Sequence, residues 1–272
     1  MAHCCTRPTV EAMREIDDPA ELAELFGRHR AIHAYGLADL ESPFWEASRW
    51  FRRGDAAVGI VDLGEGVTTT YAISSADAAG SLVLVAELLD RIPAGTMITG
   101  PTGLAETIGR RCEIDDLGPH VKCVLVRPDL LPSADSVVSL SIDDFPAVAA
   151  LHATDPGAAF VLPAMLADDT FVGIVDTADP QRLVAAAGTH VVSERYDIAA
   201  IGAVFVDPEA RGRGLGAVVT AGACARLKGR VSTIGLNVDA ANTSARRTYE
   251  RIGFVDCLDY EEIVVGPSAP RR

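Results

Sequence analysis

The residues most clearly suited to ligand binding are arginines and glycines that follow an apolar stretch in the second half of the chain. Residues 201–216 read Ile-Gly-Ala-Val-Phe-Val-Asp-Pro-Glu-Ala-Arg-Gly-Arg-Gly-Leu-Gly. Glycine tolerates positive φ angles and lets a ligand approach the backbone closely. The first amides of a helix have no intrahelical partners and lie at the positive end of its dipole. A helix that begins at Leu215, preceded by Arg211 and Arg213, therefore predicts a binding site for a pyrophosphate.

Two common phosphate-binding motifs do not fit this segment. A P-loop requires Lys-Ser or Lys-Thr after its glycines, and neither pair follows here. The G-x-G-x-x-G spacing of dinucleotide-binding folds is also missing. Taken alone, the segment is equally compatible with a tight strand-to-helix turn that carries solubilising arginines.

The spacing Arg211-x-x-Gly214-x-Gly216 resembles the R/Q-x-x-G-x-G/A signature of the GNAT superfamily of N-acetyltransferases. The second signature block of that family is resembled downstream by Leu236-Asn237-Val238, Asn242, Ala245, Tyr249-Glu250 and Gly253-Phe254. The two blocks stand in the family's order, and the resemblance extends from about Ser136 to Val265. It implies an α/β fold with a mixed sheet and acetyl-CoA as co-substrate, without a metal.

The resemblance also implies which residues bind acetyl-CoA. The backbone of three strand residues is expected to run along the pantetheine: Val204, Phe205 and Val206. The pyrophosphate is expected on the amides of Arg211, Gly212, Arg213, Gly214, Leu215 and Gly216. Two residues of the second block, Asn242 and Ala245, are expected near the cofactor.

Three residues are candidates for catalysis. In the family, the tyrosine that matches Tyr249 lies by the thioester sulfur, where its hydroxyl can protonate the departing thiolate. Some relatives carry a Glu or His base on the strand that matches residues 199–205, which has no titratable side chain here. His190 and Glu194 are the nearby candidates for that base. Each also fits a surface or hydrogen-bonding role, and the amine could instead arrive neutral or lose its proton through water.

The two halves share a coarse order of helices and strands without a residue-level repeat, so the resemblance implies two GNAT-like halves in tandem as a hypothesis that rests on element order. The segment Leu-Leu-Pro-Ser-Ala-Asp at 130–135 is the candidate linker. It divides a degenerate N-terminal domain, 1–134, from a catalytic domain, 135–272. The first half has no R-x-x-G-x-G match, and its Gly-Pro-Thr-Gly turn at 100–103 lacks arginine in what looks like the equivalent place. We therefore expect that the first half does not bind CoA.

Composition and charge narrow the function classes. The chain has 272 residues, 49% hydrophobic content and a formal net charge of −14. Such a charge repels nucleic acid and anionic membranes and is compatible with a cationic amine. No apolar run is long enough for a membrane span, and no signal pattern is present, so a cytoplasmic protein is expected.

Together these observations predict an acetyl-CoA-dependent N-acetyltransferase. The acetyl group would move to a primary amine, most simply of a small molecule, by direct attack in a ternary complex. Two alternatives stay open at this point. The acceptor could be a lysine or the N-terminus of a protein, or the chain could be a non-catalytic CoA-binding sensor or interaction module.

Overall fold

A computed structural model describes residues 11–64, 66–155, 161–180 and 182–266. Within these ranges one mixed sheet contains twelve strands. They are β1 (Arg14–Ile16), β2 (Ser48–Arg53), β3 (Ala56–Asp62), β4 (Thr68–Tyr71), β5 (Met97–Pro101), β6 (Ile114–Leu125), β7 (Val138–Ser139), β8 (Val172–Val175), β9 (Leu183–Ser193), β10 (Ile198–Val206), β11 (Thr233–Asp239) and β12 (Phe254–Val265).

The α-helices of the described ranges cover the two faces of this sheet. They are α1 (Pro19–Gly27), α2 (Ala34–Ala38), α3 (Ala78–Leu88), α4 (Leu104–Gly109), α5 (Phe145–His152), α6 (Leu215–Leu227) and α7 (Thr243–Arg251). None of these helices combines the length and apolar character that would let it cross a bilayer.

The element order repeats once along the chain. Each half has three antiparallel strands followed by a strand–helix–strand unit whose strands are parallel, namely β4–α3–β5 and β10–α6–β11. Each half then ends with a second helix and a last strand, α4–β6 and α7–β12. The chain is therefore a mixed α/β protein built from two halves with the same order of elements, in tandem.

The last strands of the two halves are exchanged. The sheet order is β1-β2-β3-β4-β5-β12-β6-β11-β10-β9-β8-β7. The final strand of the chain, β12, pairs with β5 of the first half, and β6 of the first half pairs with β11 of the second. The two exchanged strands also pair with each other over almost their whole length. Each half consequently completes its sheet with a strand from the other.

Side-chain alternation on β6 assigns the two faces of the sheet near its centre. Successive residues of a strand point to opposite faces. Cys123 belongs to the apolar core beneath α6 and α7, which also includes Tyr249. The side chain of its neighbour Lys122 lies on the other face, against Tyr35 of α2. On that face α2, from the first half, packs on β9 and β10 of the second half.

Most elements agree with the sequence patterns, and one does not. The residue pattern predicts strands over 183–193 and 198–206 and a helix capped by Asn242, and the structure contains both strands and this cap of α7. The aromatic-rich stretch 40–53 predicts a helix from Pro43, but its last six residues form strand β2. Trp50 and Phe51 point to opposite sides of β2 and are each 1% exposed in two different cores, which requires an extended backbone.

The division into domains 1–134 and 135–272 stays a prediction, and the strand exchange bears directly on how to test it. Produced separately, these two fragments should fail to unfold cooperatively as monomers, because each lacks a central strand of its own sheet. Co-expressed, they should co-purify through the pairing of β12 with β5 and β6. Sedimentation and thermal denaturation measure both outcomes, with the intact chain cleaved at an inserted protease site after residue 134 as the control. A fragment that unfolds cooperatively as a monomer would contradict the exchange.

Candidate functional site

The site begins where strands β10 and β11 part. Their parallel pairing covers only Ile198–Ile201 with Thr233–Leu236, although both strands continue for several residues. Just beyond this point β10 contains a bulge: Gly202 pairs with Gly188, and Phe205 pairs with Ala186. Two residues therefore stand opposite one, and Ala203 adopts a φ of +49°. The result is a gap between two splayed strands, with backbone groups of β10 facing it.

The turn from β10 into α6 is built by glycines in left-handed conformations. Gly212 has φ +80° and Gly214 has φ +79°, and a Cβ at either position would meet no atom within 4 Å. Gly214 is the N-cap residue of α6 and supplies no capping side chain. Among the described residues, none accepts a hydrogen bond from the amides of residues 212–216. Five amides at the positive end of a 13-residue helix are thus available to an anion.

The two arginines of this turn have different placements. Arg211 donates to the Val206 carbonyl at 3.2 Å and forms an ion pair with Asp155 at 2.7 Å. It therefore holds the turn against the end of β10, and it lines the cleft described below. Arg213 donates to the Glu209 carbonyl at 3.4 Å and is not among the cleft-lining residues.

Helix α7 supplies the two polar residues of the second signature block. The Asn242 side chain accepts a hydrogen bond from the Ala245 amide at 3.0 Å, so it caps the helix while lining the cleft. Two turns later, Tyr249 packs edge-on against Phe254 with ring centroids 6.0 Å apart. Tyr249 also lines the cleft, and burial raises the pKa of its phenol, which is therefore protonated and able to donate at neutral pH.

These elements open into one cleft of about 1420 Å³ that both halves line. The second half contributes the splayed strands, the glycine turn and α7. The first half contributes side chains that include Tyr35, Thr69, Thr99, His120 and Lys122. Because Tyr249 lies on the Cys123 face of the sheet and Lys122 on the opposite face, the gap between β10 and β11 connects a region beneath α6 and α7 with a region beneath α2.

Lys122 is the least expected member of this cleft. The residue is only 2% exposed, and its Nζ donates to Asn237 Oδ1 at 3.3 Å. The ring centroids of Tyr35 and Tyr260 lie 5.0 and 4.9 Å from Nζ. Burial lowers the pKa of Lys122 to about 8, and the Glu262 carboxylate opposes part of this shift.

His190 and Glu194, the two predicted base candidates, are placed apart. The His190 ring lines the cleft, lies against Gly202 and has its Nδ1 3.1 Å from the Tyr35 hydroxyl. Burial lowers the pKa of His190 to about 4, so the imidazole is neutral at pH 7. Glu194 lies in the turn after β9, is 61% exposed and forms an ion pair with Arg230 at 2.8 Å. It is not among the described residues that line the cleft.

Carboxyl groups give the α2 side of the cleft an acidic character. Glu262 accepts a hydrogen bond from Tyr260 at 2.9 Å, and its other oxygen lies 3.6 Å from His120 Nε2. Asp39 is buried, and burial raises the pKa of its carboxyl to about 7. These groups suit a ligand with a positive charge. Sequence reasoning missed them, together with Lys122, because they come from the first half and from β12.

In the first half, carboxylates occupy both helix N-termini that could be compared with the glycine turn. The chain topology places the equivalent of that turn at 74–77, between β4 and α3, and the sequence-based assignment to 100–103 was wrong. There, Asp77 caps α3 by accepting from the Gly80 amide at 2.8 Å, and Ser74 accepts from the Asp77 amide at 2.8 Å. At the 100–103 turn, Glu261 accepts from the amides of Gly103 and Ala105, both at 2.9 Å. Both N-termini are therefore already neutralised, unlike that of α6.

Comparison with known proteins agrees with this architecture. Residues 171–263 match the family of FR47-like proteins. A mycothiol acetyltransferase from Rhodococcus erythropolis is 41% identical over 88 residues, which cover 31% of this chain and 29% of that protein. A putative acetyltransferase of the GNAT family from Novosphingobium aromaticivorans is 26% identical, with a TM-score of 0.54 over 78% of this chain and 89% of that one.

A further solved structure matches almost the full length. It is a tandem GNAT protein from the clavulanic acid biosynthesis pathway, with 15% identity and a TM-score of 0.51, covering 95% of this chain and all of that one. The family match is confined to residues 171–263, and the fold of the chain resembles that of GNAT acetyltransferases. The chain spans less than a third of the length of the Rhodococcus protein.

The contact between His190 and Gly202 gives a direct test of the site's geometry. A Cβ at residue 202 would lie 2.3 Å from Cδ2 of His190, so Gly202→Ala must displace the imidazole. We expect this substitution to lower the free energy of unfolding by about 1–3 kcal/mol, which is typical of overpacking. In a His190→Ala background the same change should cost much less, because the ring is gone. Urea denaturation of the four proteins measures this coupling, and equal costs in the two backgrounds would show that the ring lies elsewhere.

Proposed function

We propose that this protein is an acetyl-CoA-dependent N-acetyltransferase that acetylates the primary amine of a small molecule. One observation carries the proposal: a helix N-terminus with five available amides opens onto splayed strands beside a buried tyrosine. Acetyl-CoA supplies an acetyl group activated as a thioester on a carrier that contains a pyrophosphate. The site offers a matching group for each part.

The residues that would hold acetyl-CoA are those of the second half. The amides of residues 212–216 suit the pyrophosphate, with Arg211 keeping the turn in place through Asp155. The unpaired edge of Val204–Val206 suits the amide groups of the pantetheine. Asn242 and Ala245 line the cleft at the start of α7. Arg213 does not line the cleft, which favours a role for its backbone amide rather than for its guanidinium group.

The chain's own groups then account for the chemistry. Bulged β10 amides facing the gap can stabilise negative charge on the thioester oxygen. Tyr249 can donate its phenolic proton to the departing sulfur. Binding both reactants in one cleft, with the amine beneath α2 and the thioester beneath α6 and α7, supplies the proximity that direct attack requires.

The enclosure of the acceptor region favours a small molecule over a protein amine. Its walls come from α2, from both exchanged strands and from β9, and several of its side chains are buried. The carboxyl groups of Glu262 and Asp39 suit a cationic amine. The curated relatives, which are named mycothiol acetyltransferases, support a small-molecule acceptor.

Retention of Tyr249 in the cleft favours an enzyme over a CoA-binding sensor. Thiol release from acetyl-CoA, measured with diamines, amino sugars and amino acids in turn, tests the activity. Amine-dependent release of CoA supports the proposal. Tight binding of acetyl-CoA without release for any amine, but with acetylation of lysine-containing peptides, would reassign the acceptor to protein.

A pair of matched glycine variants tests the anion site. Gly214 and Gly229 have nearly equal φ angles, +79° and +81°, and open space around both, but only Gly214 lines the cleft. Valine at either position should cost about 1–2 kcal/mol of stability, because a side chain disfavours the left-handed region. Only Gly214→Val should also weaken acetyl-CoA binding, by tenfold or more. Calorimetry should show one site per wild-type chain; two sites, or normal binding by Gly214→Val, would refute the assignment.

Replacement of Tyr249 by phenylalanine tests the proton donor. The change keeps the ring and its packing on Phe254 while removing the hydroxyl. Since positioned proton transfer contributes about 10²–10⁴-fold, kcat should fall at least tenfold while the affinity for acetyl-CoA stays constant. Tyr196→Phe, outside the cleft, is the control and should leave kcat unchanged. An unaltered kcat for Tyr249→Phe, with chemistry rate-limiting, would leave Tyr249 as a packing residue.

A further inference from the structure

The choice of lysine at position 122 is unusual for this chain. The sequence contains two lysines against 22 arginines, and the other lysine, Lys228, is exposed just after α6. An arginine would carry a permanent charge and would stack well on neighbouring aromatic rings. What lysine can do and arginine cannot is lose its proton near neutral pH. Lysine at this buried position is thus suited to proton transfer.

The location of the Lys122 side chain is equally specific. Its partner Asn237 directly follows Leu236, the last residue of β11 that pairs with β10. The amino group therefore lies where the two strands begin to part, on the face that α2 covers. An ammonium has three hydrogens to donate, and Asn237 accepts one of them. Lys122 also lines the cleft, where a ligand can reach its amino group.

We propose that Lys122 is the base that takes the proton from the acceptor amine, a role that rests on the N-acetyltransferase activity proposed above. The neutral Lys122 amine accepts one proton from the ammonium of the acceptor. The acceptor's nitrogen lone pair then forms a bond to the acetyl carbon while the carbon–sulfur bond breaks. Tyr249 protonates the departing thiolate and becomes a phenolate. As the amide forms, the nitrogen loses its second proton to solvent, and solvent returns a proton to Tyr249. Lys122 finally releases its own proton to water, so that one proton is produced per acetyl group transferred.

The other basic candidates fit this role less well. Glu194 is exposed, paired with Arg230 and outside the cleft. His190 lies in the cleft, but an imidazole with a pKa of about 4 accepts protons weakly at neutral pH. Lys122 has a lowered pKa near the pH at which a cytosolic enzyme works, which is the range where a base is most effective.

The groups facing Lys122 are consistent with a partly neutral amine. From β11 it meets an uncharged amide, and from α2 a tyrosine ring. The titratable groups that contact it or act on its charge are His33, Tyr35, Cys257, Tyr260 and Glu262. Of these, the Glu262 carboxylate raises the pKa of Lys122 and so limits the effect of burial.

The presence of two lysines allows the protonation state to be measured directly. In protein labelled with ¹³C-lysine, the ε-carbon signals of Lys122 and Lys228 can be followed against pH by NMR, with Lys122→Met assigning the signals. Lys122 should titrate at least one pH unit below Lys228, which serves as the internal control. A titration of Lys122 at or above that of Lys228 would overturn the proposal without any measurement of activity.

Kinetics with three variants test the role itself. Lys122→Arg keeps the charge but cannot give up its proton, Lys122→Met removes the charge at similar volume, and Lys228→Met is the control. With an amine that wild type acetylates, kcat/KM should fall about 10²–10⁴-fold in both Lys122 variants and remain unchanged in the control. In wild type, the rise of kcat/KM with pH should follow the NMR titration of Lys122. In Lys122→Met this rise should be absent.

Binding and folding measurements separate this role from a structural one. Acetyl-CoA affinity and cooperative unfolding should be unchanged in Lys122→Met, because Lys122 lies on the opposite face of the sheet from Tyr249. If Lys122→Arg does not fold, Lys122→Met with its pH profile carries the test alone. Near wild-type kcat/KM in Lys122→Arg, or an unchanged pH profile in Lys122→Met, would overturn the role of Lys122 while leaving the proposed function intact. If wild type acetylates no amine, the proposed function fails, and this inference fails with it.

Discussion

The hydrogen bonding of β6 between β12 and β11 is the constraint on which the rest of the molecule depends. It joins two sheets into one and fixes the register of strands that are far apart in sequence. It places Lys122 opposite Asn237, at the point where β10 and β11 separate. It also brings Tyr260 and Glu262, from the end of the chain, to the same region. The first half thereby forms one wall of the site, although its own helix N-termini are neutralised.

Electrostatics at helix N-termini explain why two similar halves are not equivalent. Any helix presents unpaired amides at its first turn, and these bind whichever anion is nearest. In the first half the nearest anions are the side chains of Asp77 and Glu261. At the start of α6 the corresponding position is Gly214, which has no side chain to offer. A few residues thus decide which of the two helix–strand units can accept an external phosphate.

The sequence predicted the second half well because its signals are local. The glycine turn, the Asn242 cap and the bounds of β9 and β10 each depend on residues close together in the chain, whose propensities agree with the fold. The strand exchange could not be predicted in this way, because the residue patterns of β6 and β12 are compatible with pairing to several different strands. For the same reason the side of the cleft beneath α2 was not predicted. Lysine is rare in this sequence, and that rarity was a signal for Lys122. Only the register of β6, however, shows that this lysine faces the site.

The strand exchange also determines when the protein can fold during synthesis. β5 pairs with β12, so Thr99 finds its partner in Glu262, far along the chain. The ribosome delivers the first half early, and domains often fold as they emerge. Here the first half leaves the ribosome with one edge of its sheet unpaired, and such an edge is a hazard for aggregation. That edge is closed only when β12 has been synthesised, so the nascent first half stays open to edge-to-edge association until then.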